Sequence, residues 1–473
     1  MTCLSSYHQP HFPTLTRAQH LYTSLSLAPP PFSHAAPPII PPSAPKVKCT
    51  LGISLSSYRR GISDRVSDED HGTQGFRDFR VECGARNRSS RGLREGPEVQ
   101  TLTHHERVTR ALNHREPDRV PLAAYSMTDV CYTRLRRYLG LPPAELQYLG
   151  DVSDVVAPDE DVLQLFRLDT RDVALTTPTP RASPQESDEY YEDDLGIGFR
   201  KHGAFYCYAV KHPLAGERTV ADVRNYRWPK FDQPMRMEAL QEKVCTTRQQ
   251  SDCALVMSVG GTMFATAWFL CGDDWFVNLA TNAPFVDALM DKLLELQLAY
   301  AESFLTSVGP DGFDVAICTA DDLGMQSGLL ISPDQYRRFV KPRQRAFFDY
   351  VKQHSNAKIF VHCDGAIYPL IPDLVEIGVD ILNPVQVECK GMDDTRRLKR
   401  EFGNDLTFWG ALNNQHVLSF GTPQDVRDEV RRRIDDLAPG GGFVLTPRWA
   451  VRPEVPPENI YAIYEAAEEY GNY

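Results

Sequence analysis

The stretch from Lys358 to Gln386, KIFVHCDGAIYPLIPDLVEIGVDILNPVQ, leaves little freedom in how the chain can fold. Lys358 to Val361 is an apolar run of β character that stops at His362-Cys363-Asp364-Gly365. Pro369 to Ile377 then carries Leu370, Ile371, Leu374, Val375 and Ile377 at helical spacing, and Gly378 follows where a helix end favours glycine. A second apolar run, Asp380 to Leu382, passes into Asn383-Pro384-Val385-Gln386. Strand, helix and strand within about thirty residues specify a βαβ unit with parallel strands. Such units present their chemistry at the C-terminal ends of the strands, where both polar clusters fall.

The same alternation extends over the chain from Thr103 onward. Strands are expected near residues 119 (Arg119 to Ser126), 171 (Arg171 to Thr176), 254, 313, 358, 380, 406 and 442, each roughly followed by a helix. Asn282 with Pro284, Ser332-Pro333-Asp334-Gln335, Thr422-Pro423 and Pro457 mark helix starts. Eight β/α repeats over about 370 residues predict an α/β (β/α)8 TIM barrel, with a doubly wound open sheet as the alternative. No GxGxxG follows the first strand, so nothing supports dinucleotide binding. The alternating YYEDDLGIGFRKHGAFYCYAV, with Gly196 and Gly203 as turn punctuation, predicts a β-hairpin insertion covering one end of the barrel.

Residues 1–100 have a different character. No acidic residue occurs up to Ser63, while serine, arginine and a proline-rich stretch dominate. Such a composition cannot build a core, and it predicts a disordered extension, with an organelle transit peptide as the alternative. Residues 101–473 then form the barrel domain. A net charge of −12 and no long Lys/Arg block exclude a nucleic-acid binder. Eleven cysteines without CxxC spacing are expected to be reduced thiols of a cytoplasmic protein, or of an organelle if a transit peptide is present. No apolar run approaches the roughly twenty residues that span a bilayer.

If the barrel forms, Ser126, Gly260, Gly261, Asp321, Asp322, His362, Asp364, Asn383, Gln386, Asn413, Arg448 and Trp449 converge on one mouth. Helix capping competes with catalysis for any single Asp or Asn here, and Asp321-Asp322 is such a case. Strand alternation turns Cys363 away from His362 and Asp364. Trp268 and Trp409 are expected to be packing residues.

ERVTRALNHREPDRVPL, GGTMFATAWFLCG, DDLGMQSGLLISPDQYRRFVKPR, VHCDGAIYPLIPDLVEIGVDILNPVQ, LTFWGALNNQ, GGGFVLTP and PPENIYAIYEAA together cover most of the chain after Thr103. In these stretches the chain resembles the uroporphyrinogen decarboxylase superfamily, which includes corrinoid-linked methyltransferases. The resemblance implies the (β/α)8 fold. It also shows departures: Ser126 and Val130 stand where the decarboxylases carry an arginine pair for substrate carboxylates, Trp268 where a tyrosine is expected, and Trp449 at or near a late histidine. The methyltransferase branch has a His-x-Cys zinc pair and a later cysteine. Here His362 matches, Asp364 takes the second position, and the third falls near Trp449.

The resulting expectation is methyl transfer from a small methylated or methoxylated compound, linked to a corrinoid carried by a partner protein. His362, Asp364 and Asp322 are assigned to catalysis, and His362 with Asp364 to a divalent metal. Asp321, Gln326, Asn383, Gln386, Asn413, Arg448 and Trp449 are assigned to the substrate. Decarboxylation of uroporphyrinogen or a related carboxylate is the second reading, and a non-catalytic ligand-binding barrel the third. A homodimer is in keeping with the superfamily.

Overall fold

Seven of the expected strands pair side by side and in parallel in the computed structural model, in the order of the chain. They are Thr170–Asp172, Ala254–Ser258, Val315–Ala320, Lys358–His362, Ile381–Asn383, Thr407–Trp409 and Phe443–Val444. The structure describes residues 101–149, 155–174, 190–202, 206–230, 234–447 and 450–473. The expectations for residues 1–100 lie outside these.

The eighth stave is the segment 120–124. On one side Leu122 bridges Leu445 in parallel, Ala123 N donates to Leu445 O and Leu445 N to Pro121 O. On the other side Asp169 N donates to Leu122 O, while Leu122 N and Ala124 N donate to the side chains of Asp169 and Thr170. Side chains thus replace part of the ladder, and the sheet curls into a (β/α)8 barrel.

Alternation along each strand divides the core in two. Val256, Val315, Ile317, Phe360, Ile381, Trp409 and Val444 fill the barrel interior. Ile359, Val361, Leu382 and Phe408 face the helices in a second, larger cluster. His362 is in phase with Phe360, and Cys363 joins the helix-facing cluster, as alternation requires.

Two strand expectations need correction. The run 119–126 does not end at Ser126: Ser126–Thr128 begins a separate four-stranded sheet with Ala450–Val451, Val155–Ala157 and Gln147–Tyr148. The insertion is not a hairpin but a three-stranded antiparallel meander, Tyr190–Glu192, Gly198–His202 and Tyr206–Lys211. Two turn signals joined three strands. Gly196, at φ +72°, supplies the first turn, and Gly203 lies outside the described residues.

Helix starts follow their capping chemistry. Thr422 and Ser332 each accept from the backbone three residues on, in reciprocal capping boxes. Asn282 opens the helix Ala283–Val308 without capping it, because its amide donates to Arg218 O and Asn278 Oδ1. The helical run after Ser332 passes through a π turn, Tyr336–Val340, before Lys341–His354. Pro342 has no N–H to return to the preceding turn, which accounts for the break in α register there. Among the described residues no helix is long and apolar enough to cross a membrane.

Candidate active site

Three strand ends meet at the C-terminal face of the barrel. Val315–Ala320 runs into Asp321 and Asp322, Lys358–His362 ends on His362 just before Asp364, and Ile381–Asn383 ends on Asn383. Parallel register sets His362 opposite Asn383, so their side chains leave neighbouring strands together. His362 Nδ1 donates to Asn383 Oδ1 at 2.7 Å, while Asn383 Nδ2 donates to Trp409 O at 2.9 Å. The second bond fixes which end of the amide faces the ring. A neutral His362 therefore carries its proton on Nδ1 and its lone pair on Nε2.

Nε2 lies 3.9 Å from Asp322 Oδ1. That same oxygen accepts from Asp364 N at 2.8 Å, which ties the loop after one strand to the loop after the next. Gly365 follows at φ +99°, and a Cβ there would stand 2.2 Å from Gly324 C. Only glycine lets the two backbones approach so closely. Gly365 N donates to Gln386 Oε1 and Ala366 N to Met325 O, both at 2.8 Å. As a result Asp322, His362 and Asp364, all buried, place one nitrogen and two carboxylate oxygens within 4.8 Å of one another.

This donor set fits a divalent cation. Two carboxylates balance its charge, the imidazole offers a lone pair already directed, and Asn383 is the outer hydrogen bond that metal-binding histidines usually have. Oxygen donors outnumber nitrogen and no thiolate takes part, so hard or borderline ions suit it better than soft ones. Cys363 is turned outward, where it accepts from Leu323 N, and burial pushes its thiol well up.

The remaining sequence-assigned residues are distributed more widely. Asp321 is one position out of phase with Asp322: it accepts from Met263 N and Ala265 N at the start of the helix Phe264–Cys271, and burial pushes its carboxyl up. Its placement is that of a helix cap. Asn413 also caps, accepting from His416 N and Val417 N. Gln386 supports Gly365. Gln326 lies exposed on the rim, bonded to Gln415 and Cys389. Arg448 and Trp449 lie outside the described residues.

A cavity on the barrel axis adjoins the cluster, with Asn383 as the shared wall. Its other contributors include Tyr125, Ser126, Asp172, Phe360 and Trp409, and among the described residues no Lys or Arg lines it. Asp172 ends the second strand and was not singled out from sequence. Enclosure by barrel walls pushes its carboxyl up to about 7, although solvent still reaches the side chain. The available signal was strand length: with the strand read as 171–176, Asp172 falls within it, whereas the strand stops at Asp172 and turns it into the mouth.

The sequence matches the uroporphyrinogen decarboxylase (URO-D) family model over residues 210–470. It is 24% identical over 263 residues to the methylcobamide:CoM methyltransferase MtbA of Methanosarcina mazei, covering 55% of this chain and 71% of the relative. It is 27% identical over 182 residues to the methylcobamide:CoM methyltransferase MtaA of Methanosarcina barkeri, covering 38% and 49%. A uroporphyrinogen decarboxylase of Syntrophotalea carbinolica is 27% identical over 254 residues, covering 51% and 67%. The solved structure of a methyltransferase from Methanosarcina mazei superposes with a TM-score of 0.55 at 19% identity, covering 78% of this chain and 99% of its own, a likeness of fold. With the family model matching more than half of its length, and with the barrel and strand-end cluster in place, this chain belongs to the uroporphyrinogen decarboxylase (URO-D) family.

Proposed function

We propose that this chain catalyses methyl transfer from a small methylated or methoxylated compound to a corrinoid carried by a partner protein, at a centre formed by His362, Asp322 and Asp364. The observation that carries the reading is the buried cluster of one directed imidazole nitrogen and two carboxylates beside a cavity without a basic lining residue among those described. A substrate bearing several carboxylates needs guanidinium or ammonium partners, and Asp172 at this mouth opposes them. Methyl donors need no such partners. Relatives named as methylcobamide:CoM methyltransferases support the same choice.

His362 Nε2 and the carboxylates of Asp322 and Asp364 would hold the divalent ion, and Asn383 keeps the ring in the required tautomer. When bound, such an ion supplies a Lewis acid for a substrate oxygen. Asp172, ionising near neutrality, can hold a proton or a counter-charge for the departing heteroatom. The apolar floor of Phe360 and Trp409 keeps water from the methyl carbon.

The test is methyl transfer to reduced cobalamin from a panel of O-methyl and N-methyl compounds, with metal content measured on the same full-length preparation. Turnover that depends on bound metal and is lost in His362→Ala is expected. Production of coproporphyrinogen, or metal-independent turnover unaffected by His362→Ala, would overturn the reading.

A further inference from the structure

Among the buried residues of the helix Ala283–Val308, Gln297 is the polar one, set between Leu293, Leu296, Ala301 and Phe304. A buried amide is costly unless both of its ends are bonded, and here both are. Gln297 Oε1 accepts from Gly261 N at 2.9 Å, and Nε2 donates to Thr262 O at 3.2 Å. Both bonds go to the loop that follows the strand Ala254–Ser258. The amide thus holds a bend that lies beyond the end of the strand.

This bend is pressed against the next strand. Gly260, at φ +102°, has Gln297 Oε1 only 2.7 Å from where a Cβ would stand, and at Gly261, φ +91°, a Cβ would lie 1.8 Å from Cys318 O. The close approach brings Thr262 to the end of Val315–Ala320, where its Oγ1 accepts from Ala320 N at 3.0 Å. Backbone pairing between the two strands runs to Ser258 opposite Ile317, and Val259 N donates to Ile317 O beyond it. At Ala320 the threonine hydroxyl supplies the rung. Ala320 is paired with His362 on its other side, and Asp322 follows two residues later.

We infer that Gln297 and Thr262 are positioning residues for Asp322, acting through the loop bend and the Ala320 amide. The Thr262 oxygen fixes the peptide plane at the strand end. From that plane Asp321 turns to the Met263 and Ala265 amides, while Asp322 turns to His362 Nε2 and Asp364 N. Without the oxygen, Ala320 N becomes a buried donor that must shift to find a partner, and Asp322 moves with it. The inference rests on the metal-dependent reading for the consequence to ion binding, but not for where Asp322 stands.

The test reads the Asp364 amide, whose hydrogen bond to Asp322 Oδ1 reports the place of that carboxylate whether or not an ion is bound. Its hydrogen exchange is followed by nuclear magnetic resonance on the full chain, well below the melting temperature. Affinity for Mn2+ and Zn2+ is measured on the same samples by competition with a chelating dye. Thr262→Val keeps the shape and removes the accepting oxygen, and Gln297→Met removes both amide bonds. Each is expected to speed exchange at Asp364 about tenfold and to weaken ion binding about tenfold or more. Thr262→Ser, which keeps the oxygen, should hold both at the parent values. Thr395→Val is the control, since it removes another buried hydroxyl, one bonded to Asp436, and it should change neither. Parent-like exchange in both Thr262→Val and Gln297→Met overturns the inference, as does equal acceleration in Thr395→Val. Unchanged affinity in both variants of a parent that binds the ions does so as well. Faster exchange in the variants of a parent that binds neither ion would support the positioning role and overturn the metal-dependent reaction instead.

Discussion

His362 and Asn383 are joined at two levels, by parallel register between their strands and by a 2.7 Å bond from Nδ1 to the amide oxygen. The ring therefore cannot turn without also losing the bond that its partner accepts. Asn383→Leu should lower the affinity for a divalent ion by about 10–100-fold, read by competition with a chelating dye. Unchanged affinity would show that the ring is positioned by packing alone. Conversely, His362→Ala leaves the Asn383 oxygen buried without its ring donor. It should cost about 1–3 kcal/mol in denaturant melts, more than a residue at an open mouth would.

Gly365 tests the contact between two loops. With its Cβ position 2.2 Å from Gly324 C and φ at +99°, Gly365→Ala should separate the Asp322 and Asp364 loops. A loss of stability of about 1–3 kcal/mol is expected, together with loss of metal binding. Gly140, at φ +69° with nothing within 4 Å of its Cβ position, is the control: alanine there should leave metal binding intact.

At the other end of the barrel Asp169 is fully buried and accepts from Arg107, Arg119 and Leu122 N at 2.7 to 2.9 Å. Asp169→Ala removes an anionic partner from each of two guanidinium groups, and among the described residues Arg107 then keeps Asp118. A cost of about 3–5 kcal/mol is expected. A melt within about 1 kcal/mol of the parent would mean that the first stave is held by its backbone bonds alone.

Asp193 links stability to pH. Its Oδ1 accepts from Leu195 N and Ile197 N in the first turn of the meander, and burial pushes its carboxyl from 3.8 up to about 7, with Asp194 and Glu192 adding to the effect. Between those two values the folded chain binds more protons than the unfolded one, so this residue makes stability fall as pH rises through that window. Asparagine keeps the accepting oxygen and cannot ionise. Asp193→Asn should gain on the parent protein steadily from about pH 4 to about pH 7 and by a constant amount above. A pH-independent difference between the two melts would assign the residue a purely geometric role.

The barrel was legible because each stave is an apolar run with its own turn signals, and that information is local. The strand-end residues were harder to read. Asp321 and Asp322 are adjacent and chemically identical, yet one caps a helix and the other faces His362, and only the backbone after Ala320 decides which. Asp172 was hidden by a strand boundary misplaced by a few residues. Asn383, assigned to substrate, is bonded to His362 and Trp409, a pairing set by register between strands that no single run reveals. The meander was half visible: two glycine turns were noted, and the third strand that they imply was not counted.

The first stave, 120–124, has its ladder partner at Leu445, more than three hundred residues later in synthesis. Chains grow from the N terminus and domains tend to fold as they emerge, but here the opening strand must wait for almost the last one. Until Leu445 leaves the ribosome, the edge of 120–124 is unpaired on one side and the sheet is an open arc. The nascent chain is thus exposed to edge-to-edge association for nearly the whole of its translation, and shielding by a chaperone during that interval would raise the yield of closed barrels.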